Sequence, residues 1–152
     1  MPPEPGQTAP DFALDSTAGP LSLRQLLAQG PVVLAFYVED DTPICNTELA
    51  AFQDDYPNLK ELGAQVVGIS VDGLESHRRF VEKAGGFPFP LASDPDLVAT
   101  RLYGVASEDG KRSRRAVFVV GQDGRVLHAQ PWYQPGNVEQ YLAVYRALGV
   151  EV

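Results

Sequence analysis

The run Val32-Val33-Leu34-Ala35-Phe36 constrains this chain more than any other stretch. It is apolar without interruption, bounded by Gly30-Pro31 before it and by the acids Glu39-Asp40-Asp41 after it. A strand that reads this way is buried on both faces, so helices must cover the sheet above and below. Gln65 to Val71 has the same character. Between the two runs, Cys45 to Leu62 turns helical, with Leu49, Phe52, Tyr56 and Leu59 along one stripe. Strand, helix, strand in this order is the unit of a parallel sheet.

The rest of the chain extends the pattern. Residues 1 to 10 read as an irregular arm, Asp11 to Leu14 as a short strand, and Asp15 to Pro20 as a turn cluster. Leu21 to Ala28 has helical apolar spacing with Ser22 as its cap. Leu74 to Ala84 is a helix ending at Gly85-Gly86. Ser93-Asp94-Pro95-Asp96 predicts a helix start, a capping acid followed by proline in the first turn, with the helix running from Leu97 to Tyr103. Ala116 to Val120 and Val126 to Gln130 flank the turn Gln122-Asp123-Gly124 as a hairpin, and Val138 to Leu148 is an amphipathic closing helix. The expectation is an α/β fold with a mixed central sheet flanked by helices. All 152 residues fit one domain.

Composition narrows the function. A net charge of -8 argues against a nucleic-acid surface and against an anionic membrane as partner. No stretch approaches the ~18 apolar residues of a membrane span, and the start Met1-Pro2-Pro3-Glu4-Pro5 is no signal peptide, so a cytoplasmic setting is expected. One cysteine excludes an internal disulfide and a cysteine-rich zinc site, and two histidines leave few metal ligands. No metal or other cofactor is expected.

Chemistry concentrates at Cys45. An unperturbed thiol, with a pKa of about 8.5, is only a few per cent thiolate at neutral pH. Thr42-Pro43 ahead of Cys45 places it in a first helical turn, where free N–H groups and the helix dipole favour an anion. That turn follows the C-terminal end of a buried strand, the edge where sites form in open α/β sheets. A guanidinium from Lys111-Arg112-Ser113-Arg114-Arg115 is a second means of holding a thiolate. Strand alternation sends Arg114 and Arg115 to opposite faces, so only one can aim at Cys45, and the offset to Phe118 selects Arg115. Glu39, Asp40 and Asp41 would raise the thiol pKa if they faced it.

The segment from Phe36 to Glu48, with Asp40-Asp41-Thr42-Pro43-Ile44-Cys45 at its centre, resembles the peroxidatic segment of the peroxiredoxins. It is most similar to the bacterioferritin-comigratory, or peroxiredoxin Q, subfamily, whose pattern is F-Y-P-x-D-D-T-P-G-C-T. Gly6 to Phe12, Gly68 to Val71, Ser76-His77 with Phe80, Leu91 to Asp94, Tyr103-Gly104-Val105, and Arg115 to Val120 with Asp123-Gly124 match in order along nearly the whole chain. The resemblance implies a thioredoxin-like fold and reduction of hydrogen peroxide and small organic hydroperoxides. It implies Cys45 as nucleophile, Thr42 as a hydroxyl on the sulfur or peroxide, and Arg115 holding thiolate and peroxide. The backbone N–H groups of Ile44 and Cys45 would stabilise developing charge, and Glu48 would orient the arginine. Three positions depart from the family: Val38 replaces a pocket-shaping proline, Ile44 a glycine, and Ala50 the resolving cysteine of many members. With one cysteine, reduction must come from an external thiol such as thioredoxin, glutaredoxin or a small thiol. The subfamily leans towards a monomer or weak homodimer.

Other readings stand beside these. A peroxide-sensing or redox-relay protein with poor turnover is the alternative; a disulfide reductase would need a second cysteine, and an inert scaffold is the blandest reading. Thr42 is also expected to cap the helix, Arg112 and Arg114 to form a solvated turn, and the three acids to be a solvated loop face. His77 is expected on a helix surface and His128 as a partly exposed sheet residue. Trp132-Tyr133 fits either a substrate rim or packing under the closing helix.

Overall fold

The computed structural model describes residues 2–150, apart from the side chains of Pro43, Ile44 and Cys45. Among the described residues the strands are β1 (Ala13–Ser16), β2 (Leu21–Ser22), β3 (Val32–Phe36), β4 (Gln65–Ser70), β5 (Leu91–Ser93), β6 (Ala116–Val120) and β7 (Val126–Gln130). The helices are α1 (Leu23–Leu27), α2 (Pro43–Glu61), α3 (Leu74–Lys83), α4 (Val98–Leu102) and α5 (Val138–Ala147). The sheet runs β2-β1-β5-β4-β3-β6-β7. β3 and β4 pair in parallel, as do β4 and β5, while β6 is antiparallel to both β3 and β7. This is the expected mixed sheet flanked by helices.

Every residue of β3 and β6 is buried, because both faces of the sheet are covered. Alternation splits the central strands between two cores. Val32, Leu34, Phe36, Ala116 and Phe118 pack with Leu23 of α1 and Ala99 of α4. Val33, Ala35, Val117 and Val119 pack with Leu49, Phe52 and Leu59 of α2, Phe80 of α3 and Val144 of α5. The predicted stripe of α2 is thus the one that faces the sheet.

Several boundaries differ from expectation for identifiable reasons. The first strand lies at Ala13–Ser16, because Leu14 and Ala13 pair with Leu21 and Ser22, and Ser16 and Asp15 with Ala92 and Ser93. That pairing takes Leu21 and Ser22 out of the predicted helix, although Ser22 still caps it by accepting from the Gln25 N–H at 3.2 Å. β5 has only three residues and no legible period. The chain reaches α4 through a turn at Pro95 and Asp96, so Pro95 lies outside the helix. Asp94 nevertheless caps α4, accepting from the N–H groups of Val98 and Thr100, each at 2.8 Å. No helix of the described residues is long and apolar enough to cross a membrane.

Candidate active site

The sheet register gathers the site. Phe36 at the C-terminal end of β3 lies opposite Ala116 at the start of β6. One step further along the same register, Arg115 faces Tyr37. Directly opposed residues of an antiparallel pair share a face. By strand alternation Arg115 has the parity of Val117 and Val119, which pack on the α2 side, and Arg114 that of Ala116 and Phe118, which pack on the other. Beyond Tyr37 the chain loops through Val38–Asp41 and enters α2 at the N-cap Thr42. Cys45 is the third residue of that helix, so the free N–H groups of the first turn surround its backbone. The side chains of Cys45 and Ile44 lie outside the described residues.

Thr42 does not cap through its hydroxyl, contrary to expectation; Oγ1 instead donates to the Glu39 carbonyl at 3.3 Å. The Thr42 carbonyl accepts the first helical bond, from the Asn46 N–H at 2.8 Å. Glu48 is buried one turn into α2, near enough to Tyr133 that its charge, after burial, pushes the Tyr133 hydroxyl above its ordinary range. Val38, Arg112, Arg114, Arg115, Trp132 and Tyr133 line a groove of about 460 Å³.

The basic turn is less solvated than expected. Arg114 donates to the Gly104 carbonyl at 2.8 Å, and its guanidinium lies 3.9 Å from the centre of the Trp132 ring. Trp132 itself is exposed, whereas Tyr133 is buried against Phe52. Arg112, 44% exposed, keeps its expected surface position and pairs with Glu39 at 3.5 Å.

Of the three acids before the helix, Glu39 and Asp41 lie at the surface as expected, whereas the Asp40 side chain is buried. Each is paired with a basic side chain from a different direction. Glu39 meets Arg112, Asp41 meets Lys83 of α3 at 2.5 Å, and Asp40 meets His77 of α3 at 2.7 Å. Asp41 holds a left-handed backbone, φ 57°, which Asp tolerates better than most residues. Its carboxylate also accepts from Asn46 in α2 at 3.3 Å.

His77 corrects a second expectation. It is completely buried rather than on the helix surface. Its Nδ1 lies 2.7 Å from the Asp40 carboxylate and its Nε2 3.0 Å from the Ala92 carbonyl. Asp40 also accepts from the Tyr37 hydroxyl at 2.6 Å and from Ser76 at 2.8 Å. Burial opposes ionisation of Asp40, but the hydrogen bonds from His77, Tyr37 and Ser76 outweigh it and hold the carboxyl below its usual range. The Tyr37 hydroxyl is pushed well up, by burial first and by Asp40 second. Tyr37 can lie over β4 because Gly68 has no side chain; a Cβ there would come within 3.3 Å of the tyrosine ring.

Asp40, Asp72 and His77 bring ligand-type atoms within 4.8 Å of one another. Those atoms already serve the protein, since one Asp72 oxygen accepts from both the Asp40 N–H at 2.8 Å and the Ser70 hydroxyl at 2.7 Å. Sequence reasoning missed this network. Ser76-His77 lies far from Asp40 in the chain, and only the packing of α3 against the loop joins them.

Comparison with known proteins gives a consistent result. The model of the AhpC/TSA family matches residues 5–129. The chloroplastic peroxiredoxin Q of Sedum lineare is 40% identical, over 94% of this chain and 78% of that protein. A peroxiredoxin of Thermoplasma volcanium is 34% identical, over 97% of this chain and 76% of its own length. Among solved structures, the peroxidoxin BcpB of Mycobacterium tuberculosis matches with a TM-score of 0.82 at 34% identity, covering 95% of this chain and 97% of that one.

Proposed function

The chain belongs to the AhpC/TSA family and is a peroxiredoxin, a thiol-dependent peroxidase with the thioredoxin-like fold, and from that premise we propose that Cys45 is its peroxidatic nucleophile. In this reading the Cys45 thiolate attacks one oxygen of a hydroperoxide. An S–O bond forms, the O–O bond breaks, and the leaving alkoxide or hydroxide takes a proton to become alcohol or water. Cys45 is left as a sulfenic acid. An external thiol then forms a mixed disulfide with Cys45 and releases water; a second thiol attacks the external sulfur, so that the two reductant sulfurs leave as a disulfide and Cys45 returns to a thiol. This one-cysteine cycle fits a chain with a single cysteine. We take thioredoxin, glutaredoxin or a small thiol as the reductant, a cytoplasmic setting, and a monomer or weak homodimer.

The observation that supports the reading is the register of Phe36 against Ala116, which brings the end of β3, just before the loop into α2, beside the start of β6, the residue after Arg115. The Arg115 guanidinium would hold the thiolate and the polarised peroxide. The backbone N–H groups of Ile44 and Cys45 would meet the charge developing on oxygen, which is where such donors lower a barrier most. Thr42 would turn its hydroxyl proton from the Glu39 carbonyl, a long 3.3 Å bond, to the sulfur or the peroxide. Buried Glu48 would orient Arg115. Arg112 beside Glu39 and Lys83 beside Asp41 would offset part of the negative charge of the loop.

Stopped-flow oxidation of the reduced protein by hydrogen peroxide, with a sulfenic-acid trap, tests this directly. The expected result is stoichiometric trapping at Cys45, far faster than for a free thiol, and none in Cys45→Ser with its fold intact. Oxidation no faster than a free thiol would overturn the reading.

A further inference from the structure

The loop that delivers Cys45 is pinned from the side away from the groove. Its central residue, Asp40, sits five positions before Cys45 and two before the N-cap of α2. The Asp40 side chain is only 5% exposed and that of His77 is fully buried. Asp40 collects donors from Tyr37 at the end of β3 and from Ser76 and His77 in α3, while its own N–H is held by Asp72 beyond β4. His77 is tied in turn to the Ala92 carbonyl of β5, and Ser93 donates to the Asp72 carbonyl at 2.5 Å. Three parallel strands and α3 thereby converge on one loop carboxylate. Neither Asp40 nor His77 takes part in the chemistry described above.

We propose that the Asp40–His77 pair is a positioning device for the peroxidatic turn. It fixes the loop 38–42, holds Asp41 in its left-handed conformation, and so sets the direction in which the first turn of α2 presents Cys45. The physical reason is geometric. A turn entered from a free loop frays, because its first N–H groups have no helical partners. A buried, multiply bonded carboxylate two residues upstream removes that freedom. Displacement of a reacting group by about 1 Å can cost ~100-fold in rate. His77 and Asp40 therefore act through Thr42 and Cys45, as positioning residues. The proposal rests on Cys45 being the peroxidatic residue for its kinetic consequence, but the pinning of the loop does not.

The test uses the full chain and two readouts. Hydrogen exchange of the 38–50 segment reports the pin, and stopped-flow oxidation by hydrogen peroxide reports its consequence. Asp40→Ala and His77→Leu should each speed exchange of 38–50 while the amides of β3 and β6 stay protected. Both should slow Cys45 oxidation by roughly 10- to 100-fold. His77→Asn keeps a donor near the Nδ1 position, and Asp40→Asn can accept from Tyr37 and Ser76 while donating to a neutral imidazole; each should recover to within about 3-fold of the parent. Exchange rising equally in β3 and β6 would mean general destabilisation and overturn the proposal. So would conservative variants as slow as the truncations, or truncations that leave exchange of 38–50 unchanged. If the parent protein itself reacts no faster than a free thiol, the assignment of Cys45 fails, and the exchange data still decide the pin.

Discussion

Toward α3, Asp40 of the loop that leads into α2 meets a buried polar cluster; toward β6 and β7 the loop meets an open groove. On the first side, the buried Tyr37 and His77 are bonded to Asp40, and the buried Ser70 to Asp72. On the second, Arg112 is half exposed, Trp132 stands in solvent, and the groove beside Val38 and Arg115 is open. The difference shows how one turn can be both precise and accessible. With Cys45 as the proposed nucleophile, rigidity is supplied on the closed side, and charge is presented on the side where peroxide would arrive.

The most damaging change after loss of the cysteine should fall on the open side. Arg115→Ala should lower the second-order rate of Cys45 oxidation by about 10²- to 10³-fold, the scale of removing one transition-state donor. Unfolding free energy should barely change, because Arg115 is partly exposed at the strand end. Stopped-flow kinetics beside a denaturation curve checks both halves. An unchanged rate would move the arginine role elsewhere, with Arg112 and Arg114 in the same groove as the next residues to test.

On the closed side the effect should appear in stability. Asp40→Ala leaves His77 facing an empty acceptor and should cost about 2–4 kcal/mol near neutral pH. The pH dependence follows from the depressed Asp40 pKa. A carboxylate held below its unfolded value stabilises the fold at pH above that value, about 3.9, and loses the contribution as pH falls through the folded pKa. The gap between parent and Asp40→Ala should therefore be full at pH 6 and narrow steadily below pH ~4. Urea unfolding across that range measures it. A gap that stays constant into acid would show that packing, not the ion pair, distinguishes the two proteins.

The two sides also differ in how far the sequence disclosed them. Strand β6 follows a basic cluster and alternates strictly, so parity separated Arg115 from Arg114, and Thr42-Pro43 marked the helix start. Those are local signals, carried within a few residues. The Asp40–His77 pair is separated by 37 residues, and a histidine between Ser76 and Arg78 has nothing local to mark it as buried. Its burial depends on α3 lying against the β4–β5 edge, a tertiary fact. β5 escaped for a related reason: three residues between proline and aspartate cannot display a period. Thr42 shows the opposite error. Its position is that of a cap, yet its hydroxyl turns to Glu39, since that carbonyl lies in reach of the loop conformation pinned from behind.

The smallest effect should come from the exposed ion pair on the groove side, and it sharpens the contrast because it too joins a loop carboxylate to a basic side chain. Glu39 and Arg112 are 47% and 44% exposed at 3.5 Å, so water screens their attraction and each side chain gives up rotamer freedom to make it. Arg112→Ala should shift unfolding by less than about 0.5 kcal/mol. Its kinetic effect should be confined to the field at the start of α2. Loss of the cation leaves Glu39 unbalanced near the thiolate, slowing peroxide oxidation by roughly 2- to 3-fold at low salt, and by less at about 0.15 M, where the screening length is ~8 Å. Glu39→Gln should act in the opposite sense and restore the rate in the Arg112→Ala background. Unfolding curves and oxidation rates at two salt concentrations distinguish the cases. A loss as large as that of Asp40→Ala would erase the division between a structural side and an open one, and would make the groove wall part of the frame that holds the turn.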